Sequence, residues 1–289
     1  DRKRCSALLP ILENGCITVK RKRMANTNMN RQVIDIRTSA GVGDISNEIL
    51  RRWSDKGYDQ AVKEGNYDRS RERLNFEIAK GGKVVPVDKD RPLDKRMAEM
   101  LASRGIKDPN IGRVNPNIRT AVQFIFSGSH DRMTELAFGN QKVDFEAKCG
   151  NENVQRMPEI EQWAKDIYDF VARKFGEENI ISFVVHLDET TAHAHCDIVP
   201  VNEQGRISYK DVFHGHNKAE YKQFILQLHN ELAEVNSKWG LARGTSKVLT
   251  GAKGHTTESY RRWLNQECDS LEERRSNLQK ALDELNKEL

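Results

Sequence analysis

The sequence predicts an α+β fold: a central antiparallel β-sheet flanked by helices and followed by a C-terminal helical, coiled-coil-like segment. Three observations support this class. Short stretches of alternating apolar and polar residues, rich in β-branched side chains, indicate strands. Longer stretches with apolar residues three or four positions apart indicate helices. Two pairs of strands, in residues 74–87 and 180–200, are joined by turns too short for a parallel crossover, so we expect an antiparallel sheet.

The first half of the chain alternates strands and helices. QVIDIR, residues 32–37, is predicted to be a strand, and residues 45–65 are predicted to form one helix that ends at a glycine. LNFEIAKGGKVVPV, residues 74–87, contains two short strands around a Gly-Gly turn, which is typical of a β-hairpin. The next helix should have Pro92 in its first turn and Gly105 at its C-terminal cap.

The second half supplies the centre of the sheet. Residues 120–129 are predicted to be a strand, and residues 157–179 an amphipathic helix. IISFVVHLDE, residues 180–189, is the most apolar strand and should therefore be central. The chain returns as another strand from His193, and a long helix follows over residues 217–240.

The C-terminal segment differs in composition from the rest of the chain. From residue 259 it lacks glycine and proline, and its leucines have coiled-coil-like spacing. Either a homodimer through this helix or a single solvated helix would satisfy the pattern. The predicted organisation is an N-terminal extension over residues 1–29 that need not be ordered, a folded α+β domain over 30–245, and a linker and helix over 246–289. The leucines are Leu264, Leu271, Leu278, Leu282, Leu285 and Leu289.

Composition limits the class of protein. The chain has 289 residues and a formal net charge of +4, which is compatible with a polyanionic partner but does not require one. No apolar stretch approaches the roughly 20 residues that span a bilayer, so no membrane segment is expected. The odd number and scattered spacing of the cysteines indicate neither a disulfide framework nor a cysteine zinc site, and favour a reducing cytoplasm. They are Cys5, Cys16, Cys149, Cys196 and Cys268.

HLDETTAHAHCDIVP, residues 186–200, groups three histidines and two carboxylates. On a strand, His193 and His195 project from the same face with α-carbons roughly 6.6 Å apart. Two imidazoles at that spacing can bind one metal ion at bonds of about 2.1 Å. Antiparallel pairing across a short turn can bring His186 beside them. Three nitrogen ligands with positions left open are typical of a catalytic metal site.

The carboxylates of Asp188 and Glu189 lie at the turn, where they could orient a histidine, act as a base or complete the metal shell. The alternative for this cluster is a group of surface histidines near a turn. Burying five ionisable groups beside an apolar strand is costly without partners or a metal, which favours the metal site. Strand alternation places Cys196 on the opposite face, in the core.

Two motifs carry a resemblance to a known family. HLDETTAHAH, residues 186–195, with the downstream Val-Pro at 199–200, resembles the metal-binding motif of the MobV/Pre (Mob_Pre) family of plasmid mobilisation and recombination relaxases. RSRERLNFEI, residues 69–78, is similar to that family's second motif. In motif order the resemblance covers roughly residues 30–245. Where the family usually has a proline before the second histidine, this chain has Ala192, which a turn tolerates.

The resemblance implies a histidine-hydrophobic-histidine (HUH-type) endonuclease that nicks and rejoins one strand of origin DNA through a covalent protein–DNA intermediate. It implies that the three histidines bind a divalent ion and that Glu189 supports catalysis. Manganese or magnesium is the expected ion, and zinc or nickel is the alternative. The partner would be single-stranded or supercoiled origin DNA, in the bacterial cytoplasm with a mobile element. Rolling-circle replication initiators and transposases share this chemistry, and a DNA-binding autoregulator that does not cleave is a further alternative.

The nucleophile is open. Better-known members of the family carry a histidine upstream of the second motif, but this sequence has none before His130. Tyr58 is the first candidate and Tyr67 the second, because a phenol can form a covalent bond to phosphate. A loop residue near Ser46 or Asn47 could instead occupy the usual histidine position.

Arginines concentrate around the candidate nucleophile and are expected to line a DNA cleft, although a solvated helix face and loop would show the same pattern. They are Arg51, Arg52, Arg69, Arg71 and Arg73. Arg52 and Arg69 are expected to contact DNA. Arg71 and Asn75 match the family's second motif and either contact DNA, brace the site or are simply polar residues of a turn and a strand edge. Trp53 could stack on an unpaired base, although a tryptophan at helical spacing is more often part of a core.

Overall fold

The computed structural model describes residues 30–64, 67–145, 150–244, 270–279 and 282–283. It divides into two compact units, the first ending at Arg243 and the second beginning at Gly244. The expected N-terminal extension and the expected linker before residue 270 lie outside the described residues.

The first unit contains the predicted antiparallel sheet, which has six strands in the order β1-β4-β6-β5-β2-β3. All named pairs are antiparallel. The strong apolar stretch at β5 lies inside the sheet beside β6, as the sequence predicted. The strands are β1 Gln32–Ser39, β2 Phe76–Ala79, β3 Lys83–Val85, β4 Ala121–Gly128, β5 Ile180–His186 and β6 His193–Ile198.

Helices flank the sheet, so the α+β class predicted from the sequence is confirmed. Two short helices that the sequence did not predict, α4 and α6, accompany the predicted ones. The helices of the first unit are α1 Gly43–Ile49, α2 Asp55–Glu64, α3 Leu93–Ser103, α4 His130–Phe138, α5 Pro158–Phe175, α6 Tyr209–Val212 and α7 Lys218–Ser237.

The prediction of a single helix over residues 45–65 was wrong. Helix α1 ends at Ile49, and a second helix, α2, begins at Asp55. Arg51 lies in this break with a φ of 51°, in the left-handed region that a side chain with a β-carbon rarely adopts. Its side chain bonds to groups far along the sequence, and those contacts offset the local strain. The break therefore has a tertiary cause.

The two faces of the sheet carry separate cores. Helices α4, α5 and α7 cover one face, where Phe124, Phe183 and Cys196 are fully buried. Helices α1 and α3 pack on the other face around Val184. Because side chains alternate along a strand, His195 shares the face of its cross-strand neighbour Val184 and not that of Cys196. The three-histidine motif therefore faces the layer formed by α1 and α3.

In the second unit, residues 270–279 and 282–283 are helical. Within this described part, Leu271, Leu278 and Leu282 are exposed. The other leucines of the predicted pattern lie outside the described residues. No helix in the described part of the chain is long and apolar enough to cross a bilayer.

Candidate metal centre

The β5–β6 hairpin brings the three histidines of the motif together. His186, the last residue of β5, pairs directly with His193, the first residue of β6. His195 follows on the same face two residues later. The ring centroid of His186 lies 5.2 Å from that of His193 and 4.8 Å from that of His195. The structure therefore juxtaposes the three rings as the spacing predicted.

Backbone carbonyl groups orient two of the imidazoles. His186 Nε2 lies 2.8 Å from the carbonyl oxygen of Ile49, and His193 Nδ1 lies 2.9 Å from that of Thr191. A carbonyl oxygen only accepts, so each of these nitrogens carries the proton and donates. The lone pair then remains on Nδ1 of His186 and on Nε2 of His193, which are the nitrogens free to bind a cation.

The free nitrogens converge. His193 Nε2 lies 3.0 Å from His195 Nε2, and one nitrogen from each of the three histidines lies within 4.8 Å of the others. His186 Nδ1 is buried, and its nearest carboxylate oxygen, Glu189 Oε1, is 3.5 Å away, which is longer than an ordinary hydrogen bond. His195 Nε2 can donate to the His193 Nε2 lone pair at this distance, and it can turn its own lone pair to the same point when an ion is bound. Three imidazoles grouped in this way in a buried setting fit a divalent cation.

The protonation states suit this chemistry. Burial lowers the pKa of His193 and lowers the pKa of His195 further, because a charged imidazole loses its hydration. Glu189 acts in the opposite direction on both rings, but burial outweighs it. Both imidazoles are therefore neutral at neutral pH, which is the form that binds metal ions.

The two carboxylates of the turn share one cation. Arg51 Nε and Nη2 donate to the two Asp188 oxygens at 2.9 Å each, and Nη2 also donates to Glu189 Oε1 at 2.6 Å. Burial tends to raise the pKa of each carboxyl group, but the permanently charged Arg51 guanidinium holds the pKa values of Asp188 and Glu189 below the usual range. Ionised Glu189 is thus a weak proton acceptor and a strong source of negative potential.

A segment upstream of β2 braces residues 187–192 between β5 and β6, the candidate metal-binding turn. Arg71 Nη1 donates to the carbonyl oxygens of Leu187 at 2.6 Å and Glu189 at 3.2 Å. Asn75 Oδ1 accepts from the Leu187 N–H at 2.7 Å, and the Asp68 N–H donates to the Asp188 carbonyl at 2.7 Å. Arg71 is itself held by Asp68 at 2.7 Å.

The four residues expected to bind DNA fall into a buried pair and an exposed pair. Arg71 and Asn75 are buried, 1% and 7% exposed, so this conformation favours the bracing role and leaves no surface for direct DNA contact. Arg52 and Arg69 are exposed on the outside of the same region. Arg69 pairs with Asp59 at 3.1 Å, a surface contact that a phosphate could displace.

The candidate nucleophiles form an aromatic cluster around Trp53. The rings of Tyr58 and Tyr67 meet that of Trp53 edge-on, with centroids 5.5 and 5.2 Å away. Tyr58 is only 5% exposed, and burial followed by the nearby Glu72 carboxylate raises its pKa. Tyr67 is half-buried with its ring centroid 4.5 Å from the Arg51 guanidinium carbon. Burial followed by Glu189 raises its pKa too.

The loop candidates are placed differently. Ser46 is 3% exposed, and its Oγ accepts a hydrogen bond from the Leu93 N–H at 3.0 Å. Its hydroxyl therefore fixes the start of α3 against α1. Asn47 is exposed.

Two functional groups had no signal of their own in the sequence. Arg51 was one of several arginines expected to line a DNA cleft, but its side chain is 2% exposed and serves the metal-binding turn. The carbonyl of Ile49 orients a histidine 137 positions away. Only the packing of α1 against the sheet brings these groups to the site, so no local pattern could have identified them.

Known proteins resemble this chain in sequence and fold. Residues 152–262 match the family model Mob_Pre, plasmid recombination enzyme. Plasmid recombination enzyme type 1 of Staphylococcus aureus is 37% identical over 105 residues, 36% of this chain and 25% of that protein. A type 3 enzyme of the same species is 29% identical over 107 residues, 37% of this chain and 25% of that protein. The match thus spans about a quarter of the length of these relatives.

A solved structure has the same fold. The Mn-bound crystal structure of the MobM relaxase domain (MOBV; Mob_Pre) with plasmid pMV158 oriT DNA has a TM-score of 0.55 and 20% sequence identity. The alignment covers 80% of this chain and 98% of that domain. With the family match, the resemblance to the Mob_Pre relaxases expected from the two motifs is confirmed.

Proposed function

We propose that this chain, with its resemblance to the Mob_Pre plasmid recombination enzymes, is a relaxase that nicks and rejoins one strand of origin DNA when a plasmid or transposon is mobilised. The observation that carries the proposal is the convergence of the metal-facing nitrogens of His186, His193 and His195. The MobM relaxase domain, which shares the fold, was crystallised with Mn and oriT DNA. Residues 30–245 would form the enzymatic domain, followed by the linker and helix of residues 246–289.

The three histidines would hold a divalent ion, with manganese or magnesium preferred and zinc or nickel also compatible with imidazole. Such an ion polarises a phosphate oxygen and offsets the charge that develops on it. The protein's own contribution is orientation: the carbonyls of Ile49 and Thr191 fix two rings. Glu189 stays ionised beside them and Asp188 anchors the turn through Arg51.

The nucleophile would lose its hydroxyl proton and form a bond from its oxygen to the phosphorus, while the bond from phosphorus to the leaving deoxyribose oxygen breaks and that oxygen takes up a proton. One phosphate ester replaces another, so rejoining is the reverse step and consumes no external energy source. Of the two tyrosines, Tyr67 is the better placed, because it is partly exposed beside Arg51. Tyr58 would have to leave its buried position first.

The first test is cleavage of labelled single-stranded DNA from the origin of the chain's own element, with manganese or magnesium added. Denaturing gels and peptide mapping would detect a covalent adduct and identify its residue. His193→Ala should lose cleavage and Mn²⁺ binding. The matched control is His216→Ala: His216 is exposed and bonds only Asp211 among the described side chains, so this variant should keep both.

The outcomes separate the reactions. An adduct that requires His193 supports the relaxase. Cleavage without an adduct would indicate a hydrolytic metallonuclease. Full activity of His193→Ala would contradict the metal centre. DNA from a replication origin or a transposon end, tested alongside, distinguishes a replication initiator or transposase of the same chemistry.

The tyrosines are tested as a matched pair. Tyr67→Phe should abolish the adduct and Tyr58→Phe should retain it, since each change removes one hydroxyl and keeps the ring. An adduct that survives in Tyr67→Phe and disappears in Tyr58→Phe would restore Tyr58 as the first candidate. An adduct in both single variants would assign the nucleophile to another residue.

A second candidate function is a DNA-binding autoregulator that does not cleave. The observation that favours it is the placement of two candidate nucleophiles. The Tyr58 side chain is buried, and the Ser46 hydroxyl accepts a hydrogen bond from the first residue of α3. Specific binding to origin DNA without cleavage, across several metals and DNA sites, would support this function over the relaxase.

A further inference from the structure

A second group of potential cation ligands adjoins the three-histidine group. It consists of His186, Asp188 and Glu189, whose ligand atoms also lie within 4.8 Å of one another. The two groups share His186. Two adjacent cation positions that share a ligand are the arrangement of nucleases that use two metal ions. The group that occupies the second position therefore decides how many ions the site can bind.

In this chain a guanidinium bonds to both carboxylates of that group. Arg51 places Nε and Nη2 at 2.9 Å from the two oxygens of Asp188, and Nη2 at 2.6 Å from Glu189 Oε1. Its Nη1 donates to the Glu48 carbonyl at 2.7 Å, so all three guanidinium nitrogens are engaged. The arginine and Asp188 side chains are 2% and 0% exposed, so this ion pair is shielded from solvent.

The surroundings hold this guanidinium in place. Its carbon lies 4.5 Å from the ring centroid of Tyr67 and 5.3 Å from that of Trp53, so aromatic rings line its open side. The backbone of Arg51 has a φ of 51°, and the chain adopts this unusual conformation at the point where the side chain enters the site. An arginine cannot lose its proton in a protein, so the charge is permanent.

We infer that Arg51 acts as the built-in second cation of the centre. Its guanidinium occupies the position of a second metal ion on Asp188 and Glu189, and so limits the site to one exchangeable ion. Arg51 is thus a positioning residue: it directs the Glu189 oxygen that lies 3.5 Å from His186 Nδ1 and 3.7 Å from His193 Nε2 towards the histidine group. This inference rests on the proposed metal centre and deepens it.

The test is the number of Mn²⁺ ions bound per chain, measured on the full chain by calorimetry and by electron paramagnetic resonance. The wild type should bind one ion. Arg51→Gly and Arg51→Asn should bind two, because both residues accept a positive φ and both leave the carboxylates to a second ion. In both variants Mn²⁺ should also raise the melting temperature more than in the wild type, since the ion replaces the lost charge.

Two controls identify the cause. Arg51→Lys keeps one cation on the carboxylates and should bind a single ion. Glu189→Gln combined with Arg51→Gly removes a ligand of the second position and should return the number from two to one. A merely structural role of Arg51 would change stability without changing this number.

The failures are distinguishable. If the wild type binds no Mn²⁺, the proposed metal centre itself is wrong. If the wild type binds two ions, or if either folded variant binds one ion and gains no extra thermal stability from Mn²⁺, the metal centre stands and the role of Arg51 as second cation is overturned.

Discussion

The buried ion pair between Arg71 and Asp68 connects a single residue to the geometry of the metal-binding turn. Arg71 donates to the carbonyls of Leu187 and Glu189 while Asp68 neutralises its charge. Both side chains are nearly fully buried. A residue that carries one end of such a network cannot be exchanged without leaving its charged partner buried alone.

Arg71→Met should therefore lower the free energy of unfolding by about 3 to 5 kcal/mol, because Asp68 loses its cation. Urea denaturation followed by circular dichroism measures this change. Metal affinity should fall as well, since the carbonyls of the turn lose their donor.

Arg69→Met is the matched control at a half-exposed arginine that pairs with Asp59 on the surface. It should change the free energy of unfolding by less than about 1 kcal/mol. Equal losses in the two variants would contradict the bracing role of Arg71.

At this scale the sequence predicted which histidines meet, because strand periodicity and a short turn determine their spacing. It did not predict which nitrogen of each ring is free, since that depends on the carbonyls of Ile49 and Thr191. It also left Arg71 and Asn75 open between DNA contact and bracing, because burial is a property of the folded chain.

At the scale of elements, strand periodicity identified every strand of the described sheet, whereas the single helix predicted over residues 45–65 is two helices. The apolar spacing of residues 45–65 continues across the break at Arg51, so the pattern alone favours one helix. The contact that breaks it joins Arg51 to Asp188, 137 positions away. Helix propensity is a weak local preference, and a buried ion pair overrides it.

Strand β4 provides a test of element packing. A β-carbon at Gly128 would lie 2.5 Å from Leu241 Cδ2 and 3.2 Å from the Arg31 carbonyl oxygen. Leu241 is fully buried and has little room to move. Gly128→Ala should lower the free energy of unfolding by about 1 to 3 kcal/mol through overpacking, as measured by thermal and urea denaturation.

Gly41→Ala is the comparison, because a β-carbon there meets no described atom within 4 Å. It should be neutral or slightly stabilising, since alanine reduces the freedom of the unfolded chain. A larger loss at Gly41 than at Gly128 would mean that backbone freedom, and not close packing, decides these positions.

At the scale of the whole molecule, the formal charge of +4 is modest. The proposed affinity for DNA would therefore depend on where the cationic side chains lie. Arg52 and Arg69 are exposed near the proposed centre. The affinity for single-stranded origin DNA should fall with salt, and the double variant Arg52→Ala/Arg69→Ala should make the slope of log affinity against log salt shallower by about 0.7 per lost phosphate contact.

Fluorescence anisotropy across a salt series measures both slopes. Lys238→Ala is the control, since Lys238 follows α7 on the other side of the sheet and pairs with Asp166 at 2.7 Å. An unchanged slope in the double variant would remove Arg52 and Arg69 from the DNA surface.

The second unit carries its own prediction. Leu271 and Leu278 stand one heptad apart and are 59% and 72% exposed. If this helix dimerises, sedimentation of the full chain should show concentration-dependent association, and Leu271→Glu/Leu278→Glu should abolish it. A chain that remains monomeric at all concentrations would indicate the single solvated helix.

The contacts that complete the metal centre join residues far apart along the chain. Asn75 and Leu187 are 112 positions apart, and Arg51 and Asp188 are 137 apart. Pairings of such long separation require costly loop closure and form late in folding. During synthesis the β5–β6 hairpin leaves the ribosome long after Arg51, so a nascent chain contains the arginine before it contains a carboxylate to receive it. The proposed capacity to break DNA would thus arise only after these distant parts of the chain have come together.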